Sequence, residues 1–177
     1  MAQHRTGFTL LELLMIGAIV LVAATIAIPL LLQPADHDLV ASLQELETLC
    51  LCAQYSAMAS NQPCLINIDA ANNSCCLRVD QQTWAVKLPA SCTFGFLPGL
   101  LGPPGDPRTT VTQAVTFQAE TKQPAIIFQQ NGIISCGTLY VIDRHKSLQG
   151  ALTCGVSQVS YIRRYLYKNG QWHVVKA

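Results

Sequence analysis

Cysteine is the reactive residue type that stands out in this sequence. The 177 residues include eight cysteines, which could bind a metal or form disulfides. The pairs Cys50-x-Cys52 and Cys75-Cys76 lack the spacing of about two to four residues that is typical of structural zinc sites. We therefore expect no metal site. In an oxidising compartment we expect disulfides, whose pairing the sequence does not give, among Cys50, Cys52, Cys64, Cys75, Cys76, Cys92, Cys136 and Cys154.

The sequence contains no motif for catalysis. Its four histidines are far apart and form no His-Glu-x-x-His zinc motif. The segment 154–158 is not a Gly-x-Ser-x-Gly nucleophile elbow, and the glycines of the loop 96–107 lack the lysine of a phosphate-binding loop. We expect no catalytic residue and no cofactor, and a membrane-anchored periplasmic enzyme is the less favoured alternative function.

The charged residues are few and unevenly distributed. Half of the residues are hydrophobic, 12% are charged and the net charge is +1, whereas soluble domains typically have about 25% charged residues. This composition excludes a disordered chain and a bulk nucleic-acid coat. The low share of charged residues has a local cause, because residues 13–32 contain no charged residue at all.

Residues 13–32 have the length of a membrane span. As a helix they would extend about 30 Å, which is the thickness of the hydrocarbon core of a bilayer. A buried core helix is one alternative. A cleavable secretory signal is another, but its apolar region would be shorter and would end in a small-x-small cleavage site. Arg5 favours a cytoplasmic N-terminus.

Glu12 is a carboxylate at the start of this apolar segment. A charge at the head of a membrane span is costly unless it reaches the interface or finds a partner. It could simply be an interfacial residue that the helix dipole stabilises. The alternative is a role in assembly.

The N-terminal residues Gly7-Phe8-Thr9-Leu10-Leu11-Glu12-Leu13-Leu14 resemble the processing site of type IV pilins and type II secretion pseudopilins. The resemblance implies that a prepilin peptidase cleaves between Gly7 and Phe8 and that Phe8 is then N-methylated. It also implies that Glu12 pairs with the N-terminal amine of a neighbouring subunit and that Pro29 kinks the helix. Residues 1–7 would be a cytoplasmic leader peptide, and residues 8–32 a transmembrane and assembly helix.

The segment 125–142 is similar to the Phe…Gly…Gly-strand pattern of pseudopilin H and minor pilin T, although the basic ending of that family is not matched. The resemblance implies a minor pilin-like subunit of a type II secretion pseudopilus or a type IV pilus. Its partners would be the prepilin peptidase, other pilin-like subunits, the inner-membrane assembly platform and the lipid bilayer. The protein would cross the bacterial inner membrane once, with its C-terminal domain in the periplasm, before it enters the filament.

The remaining sequence predicts an α+β fold. Residues 33–61 form an amphipathic periplasmic helix, because Leu39, Leu43, Leu46, Cys50, Ala53 and Ala57 recur at spacings of three and four. Residues 62–177 form a β-rich domain of roughly eight short strands, on which the long N-terminal helix packs. The predicted strands are 65–69, 75–79, 84–88, 111–117, 126–128, 138–142, 151–154, 159–167 and 172–175.

The last hairpin suggests a different function. Residues 121–177 contain seven Lys/Arg and one Asp/Glu. A two-residue Asn169-Gly170 turn would place Tyr167 opposite Trp172 and Tyr165 opposite Val174. Strand alternation would then put the tyrosines and Arg163 on one face and Arg164 on the other. Aromatic side chains interleaved with arginine are found in proteins that bind single-stranded DNA. Tyr161, Arg163, Arg164 and Lys168 are therefore candidates for contact with DNA or with another subunit. Docking onto an acidic neighbour in the filament is preferred over a DNA-binding minor pilin in competence.

Overall fold

The structure is a computed structural model that describes residues 9–31, 35–79, 82–102, 108–118, 123–156 and 160–175. The chain divides into two units, residues 1–34 and residues 35–177. The helix α1 (Leu10–Leu31) belongs to the first unit, and α2 (Ala35–Ser60) opens the second. The predicted cleavage residues Gly7 and Phe8 lie outside the described residues.

The described part of the first unit consists of the helix α1. Its 22 residues extend about 33 Å at the usual rise of about 1.5 Å per residue. Pro29 lies within the bounds of α1, and the kink expected there stays a prediction. Within the part of the chain that the structure describes, no helix is long and apolar enough to cross a membrane.

The helix α2 confirms the predicted apolar stripe, since all six of its residues are almost fully buried. The helix ends where Asn61 adopts a positive φ of 53°. The Gln62 amide then donates to the carbonyl of Ala57 at 3.2 Å, which is the closing hydrogen bond of a Schellman motif. Ser42 is also buried, and it donates its hydroxyl to the carbonyl of Asp38 at 2.7 Å.

Within the described residues, nine strands form two antiparallel sheets, which confirms the α+β class. The first sheet has the order β3-β2-β1-β5 and the second has the order β4-β6-β7-β8-β9. The strands are β1 (Cys64–Asp69), β2 (Ser74–Val79), β3 (Gln82–Lys87), β4 (Cys92–Phe94), β5 (Ala125–Phe128), β6 (Gly137–Asp143), β7 (Gln149–Val156), β8 (Ser160–Lys168) and β9 (Gln171–Val174).

Two strand predictions differ from the structure. Residues 111–117 form only an isolated bridge from Val115 to Leu139 and no strand. Phe117 instead covers β6, where a Cβ on Gly137 would lie only 2.4 Å from the Phe117 ring. The backbone of the segment also pairs with the edge of β6, since the Thr116 amide donates to the Thr138 carbonyl at 3.0 Å and the Tyr140 amide donates to the Ala114 carbonyl at 2.8 Å. The pairing is too short to form a strand. The strand β4 was not predicted because three residues are too few to show a period.

Asn73 connects the two sheets. It lies in the turn between β1 and β2, with a φ of 51°. These two strands, predicted as 65–69 and 75–79, pair antiparallel as a hairpin. Its Oδ1 accepts hydrogen bonds from the Thr93 hydroxyl at 2.8 Å and from the Phe94 amide at 3.0 Å. A turn of the first sheet thereby positions β4 of the second.

The main core lies between α2 and the inner faces of both sheets. The closest approach is at Gly150, where a Cβ would lie 2.6 Å from Cδ1 of Leu43. A smaller cluster forms around Tyr140 and Tyr165, with Leu100 and Val111 packed against them. The second sheet thus has apolar packing on both of its faces.

Asp143 organises the turn between β6 and β7. It is buried and accepts hydrogen bonds from the amides of Ser147 and Leu148 and from the Ser147 hydroxyl, at 2.7 to 2.8 Å. Burial raises the pKa of Asp143, but these hydrogen bonds lower it by more, so the pKa lies below its usual value.

Asp143→Asn is expected to destabilise the second unit by about 1–2 kcal/mol, because the amide cannot accept all of these hydrogen bonds. Because the pKa of Asp143 is lower in the folded than in the unfolded state, its ionised carboxylate stabilises the fold. This stabilisation is fully present above the unfolded pKa and is lost as the pH falls through the folded pKa. Urea unfolding at pH 7 and at pH 3 measures both effects. The gap between wild type and variant should shrink at the lower pH, and an equal gap at both would contradict the pKa argument.

Candidate assembly site

The N-terminus of α1 is a capping box formed by Thr9 and Glu12. The Glu12 carboxylate accepts hydrogen bonds from the Thr9 amide at 3.0 Å and from the Thr9 hydroxyl at 3.1 Å. The Glu12 amide donates back to the Thr9 hydroxyl at 3.3 Å. The Thr-x-x-Glu spacing is a sequence signal for this arrangement, so the role of Thr9 as a cap was missed although its spacing could have shown it. Glu12 therefore has a role within its own helix.

The surface of α1 is apolar on every side within its own unit. Among residues 9–25, whose side chains the structure describes, the large apolar ones are between 50% and 80% exposed: Leu10, Leu11, Leu13, Leu14, Met15, Ile16, Ile19, Val20, Leu21 and Val22. The Thr25 hydroxyl donates to the carbonyl of Val22 at 2.7 Å, so this polar group is satisfied inside the helix. Such a helix needs an apolar surrounding on all sides, which lipid or packed helices can provide.

The C-terminal hairpin has the predicted register. Tyr167 pairs with Trp172 and Tyr165 with Val174. Asn169 and Gly170 have positive φ values of 53° and 79°, as a two-residue type I′ turn requires. The sequence alone therefore correctly placed the alternating side chains of β8 on two faces.

The tyrosines of β8 are mostly packed rather than available for stacking. Tyr165 is buried in the smaller core cluster. The ring of Tyr167 lies edge-on to Trp172 at 5.2 Å between centroids, and Trp172 Nε1 donates to the carbonyl of Leu101 at 3.1 Å. The segment that contains Leu100, Leu101 and Val111 thus packs against this face.

Arg164 is not a surface cation, which corrects the prediction that it contacts DNA or another subunit. Its side chain is only 5% exposed, and its Nε lies 2.6 Å from Oε2 of Glu47, which is 21% exposed. This buried nitrogen makes no hydrogen bond within the described residues, so the pair is held by charge rather than by directed hydrogen bonding. One positive charge of the basic C-terminal segment is neutralised within the chain.

The other three candidates of β8 remain at least partly accessible. Arg163 is exposed, and its guanidinium lies 4.6 Å from the ring centroid of Tyr161. Lys168 is exposed at the end of the strand, opposite Gln171. The predicted contact surface is therefore reduced to one cation–π pair and the lysine beside the turn.

The eight cysteines all lie in the described residues and are present as thiols, so the disulfides stay a prediction. Cys52 and Cys136 are exposed, and most of the others are buried. Burial raises the pKa of Cys75 to about 12. Among the described residues, no three His, Cys, Asp or Glu side chains come together as a metal site would require.

A cleft between α2 and the first sheet was not anticipated from the sequence. Its volume is about 850 Å³, and its lining includes Leu49, Tyr55, Leu77 and Trp84. Tyr55 and Trp84 are exposed at this cleft. Each looks like an ordinary surface aromatic in its own segment, and only the packing of α2 on the sheet places them in one cleft.

The comparisons with known proteins concern the fold. No protein-family model and no curated protein matches the sequence. Two solved structures of the minor pseudopilin EpsH from the type 2 secretion system of Vibrio cholerae are structural neighbours. One is 13% identical over 76% of this chain and 94% of that chain, with a TM-score of 0.46. The other is 16% identical over 76% of this chain and 91% of that chain, with a TM-score of 0.45.

Proposed function

We propose that the protein is a minor pilin-like structural subunit of a type II secretion pseudopilus or a type IV pilus. One observation carries the proposal. The motif from Gly7 to Glu12 leads into α1, whose described large apolar side chains, from Leu10 to Val22, are exposed. A processing motif needs this arrangement, because the new N-terminus must begin the helix that enters the filament.

The chemistry of α1 supports storage in lipid followed by helix packing. Its described polar side chains, those of Thr9, Glu12 and Thr25, are all hydrogen-bonded within the helix or its cap. A membrane offers apolar contact but no hydrogen bonds, and the interior of a helical bundle offers the same. The helix can therefore pass from bilayer to filament without leaving these groups unsatisfied.

Processing and partners follow from the same proposal. A prepilin peptidase cleaves between Gly7 and Phe8, Phe8 is N-methylated, and residues 8–32 hold the chain in the inner membrane. The inner-membrane assembly platform then delivers the subunit to other pilin-like subunits. The second unit lies in the periplasm, where it provides the lateral surface of the subunit.

The alternative of a DNA-binding minor pilin has less support. Single-strand binders use exposed aromatic side chains with cations beside them. Here Arg164 is buried against Glu47, and Tyr165 is buried in a core cluster. The exposed remainder, Tyr161 with Arg163, suits a small polar contact with a neighbouring subunit.

Mass spectrometry of the N-terminus tests the proposal. In cells with an active prepilin peptidase, the mature chain is expected to begin at Phe8 with a methylated amine. In a matched strain without the peptidase, the chain should retain residues 1–7. An unprocessed N-terminus in both strains would contradict the proposal.

A further inference from the structure

The position of α2 along β7 is fixed by two contacts. Leu43 packs directly on Gly150, where a Cβ would lie 2.6 Å from the leucine methyl. One helical turn later, Glu47 forms its ion pair with Arg164, which pairs across the sheet with Leu152 of β7. A helical turn rises about 5.4 Å, and two strand residues extend about 6.6 Å. Each turn of α2 therefore stays level with every second residue of β7.

The same alignment of α2 with β7 places Cys50 beside Cys154. Cys50 lies about one further turn along α2 on the buried stripe, and Cys154 is the next residue of β7 on the face of Gly150 and Leu152. The two side chains are 2% and 1% exposed and belong to the same core cluster. Hydrogen bonding of the Cys50 thiol to Cys154, together with burial, raises the pKa of Cys50 well above its usual value. The two sulfur atoms are thus neighbours in the core.

We propose that Cys50 and Cys154 form a disulfide that ties α2 to the second sheet. A thiolate of the pair attacks an oxidant that itself carries a disulfide and forms a mixed disulfide with it. The second thiolate then displaces the oxidant. One S–S bond forms, both cysteines lose their protons, and the two electrons reduce the disulfide of the oxidant to two thiols.

The bond forms before the core closes. Thiolates, not thiols, carry out this exchange, and the folded core both buries Cys50 and raises its pKa. The folded, reduced chain is therefore resistant to oxidation, whereas the unfolded chain is reactive. Once formed, the bond is protected from reductants by the same burial.

Cys75 is the competing partner within the core. It is buried in the same cluster, and its charge disfavours the Cys50 thiolate. Its influence on Cys50 is electrostatic only, whereas Cys154 makes the hydrogen bond. Geometry therefore favours Cys154, and the experiment must separate the two pairings.

This inference rests on the proposed function only in requiring an oxidising compartment, and oxidative refolding in vitro removes that dependence. The reduced, denatured full chain is refolded in detergent with reduced and oxidised glutathione. It is then denatured without reductant, and its thiols are counted by alkylation and mass spectrometry. The wild type should show at least two fewer thiols than the eight cysteines of the sequence.

Three variants identify the pair. Cys50→Ala and Cys154→Ala are each expected to gain one alkylated thiol relative to wild type, and the double variant should return to the wild-type count. Only a bond between these two residues gives this pattern. The thiols are counted on denatured protein, so burial in the core does not hide them from the alkylating reagent. Pre-folded, reduced wild type should oxidise at least about tenfold more slowly than the unfolded chain, because its thiolates are suppressed.

Specific results would overturn the inference. Eight alkylated thiols in wild type would exclude any disulfide. A Cys154→Ala variant that loses one thiol would show that Cys154 is outside any disulfide. If Cys50→Ala still gains one thiol in that case, Cys50 pairs with another cysteine, and Cys75 is the candidate to replace next. A double variant that gains two would mean that each residue pairs elsewhere. None of these outcomes bears on N-terminal processing, so failure here is distinguishable from failure of the pilin proposal.

Discussion

Glu12→Ala is expected to lower the amount of this subunit in the filament fraction by more than about tenfold while leaving cleavage after Gly7 largely intact. The proposed partner of the carboxylate is the amine that processing creates on a neighbouring subunit. An unpaired amine in a low-dielectric bundle costs several kcal/mol, and a tenfold loss corresponds to only about 1.4 kcal/mol. Immunoblots of sheared filaments and of membranes measure incorporation and processing in the same cells.

The capping box provides a second explanation that must be separated from charge pairing. Glu12→Gln can retain the hydrogen bonds to Thr9, but it removes the charge. Thr9→Ala removes the hydroxyl of the cap and keeps the charge. If charge pairing drives assembly, both Glu12 variants should fail and Thr9→Ala should assemble. Normal incorporation of Glu12→Gln would instead assign Glu12 to the helix cap and remove the pairing hypothesis.

The local features of the fold were readable from the sequence because each depends on one short period. The apolar stripe of α2 and the Asn169-Gly170 hairpin need no information from the rest of the chain. The same applies to the alternation along β8, which places Arg163 and Arg164 on opposite faces. Local rules of this kind predicted the α+β class and most of the strands.

The features that were missed depend on which surfaces the rest of the chain covers. Alternation separates the two faces of β8, but it does not indicate that α2 covers one face and that Leu100 and Val111 pack against the other. The basic segment therefore resembled a binding surface in the sequence, although Glu47 neutralises Arg164. The segment 111–117 differs for another reason, because its pairing with β6 is limited to one bridge at Val115, and alternation does not indicate how far a pairing extends.

The candidate site divides in the same way. The motif around Gly7 and Glu12 is continuous in sequence, so its assembly role could be proposed without a structure. The proximity of Cys50 to Cys154 could not, because eight cysteines carry no information on pairing until α2 is placed on β7. The capping box of Thr9 was visible in principle from its spacing.

The two neighbouring arginines of β8 are expected to differ sharply in their effect on stability. Arg163→Ala should change the free energy of unfolding of the second unit by no more than about 1 kcal/mol, because an exposed cation–π contact with Tyr161 is worth about 0.5–1 kcal/mol. Arg164→Ala should lower it by about 3–5 kcal/mol, because it removes one member of a largely buried ion pair. Urea unfolding, followed by circular dichroism, gives both values.

Replacing one partner at a time identifies which of the two charges lowers the free energy of unfolding more when it is left unpaired. Arg164 is 5% exposed and Glu47 is 21% exposed, so the arginine depends more on its partner than the carboxylate does. Glu47→Gln should therefore destabilise the second unit more than Arg164→Met. The double variant Glu47→Leu/Arg164→Met should recover much of the loss, because two apolar side chains can fill the space without charge.

Equal losses for Arg163→Ala and Arg164→Ala would contradict the burial argument. DNA binding that falls steeply with salt and is lost in Arg163→Ala would restore the DNA-receptor hypothesis, because that variant removes an exposed cation and leaves the ion pair with Glu47 intact.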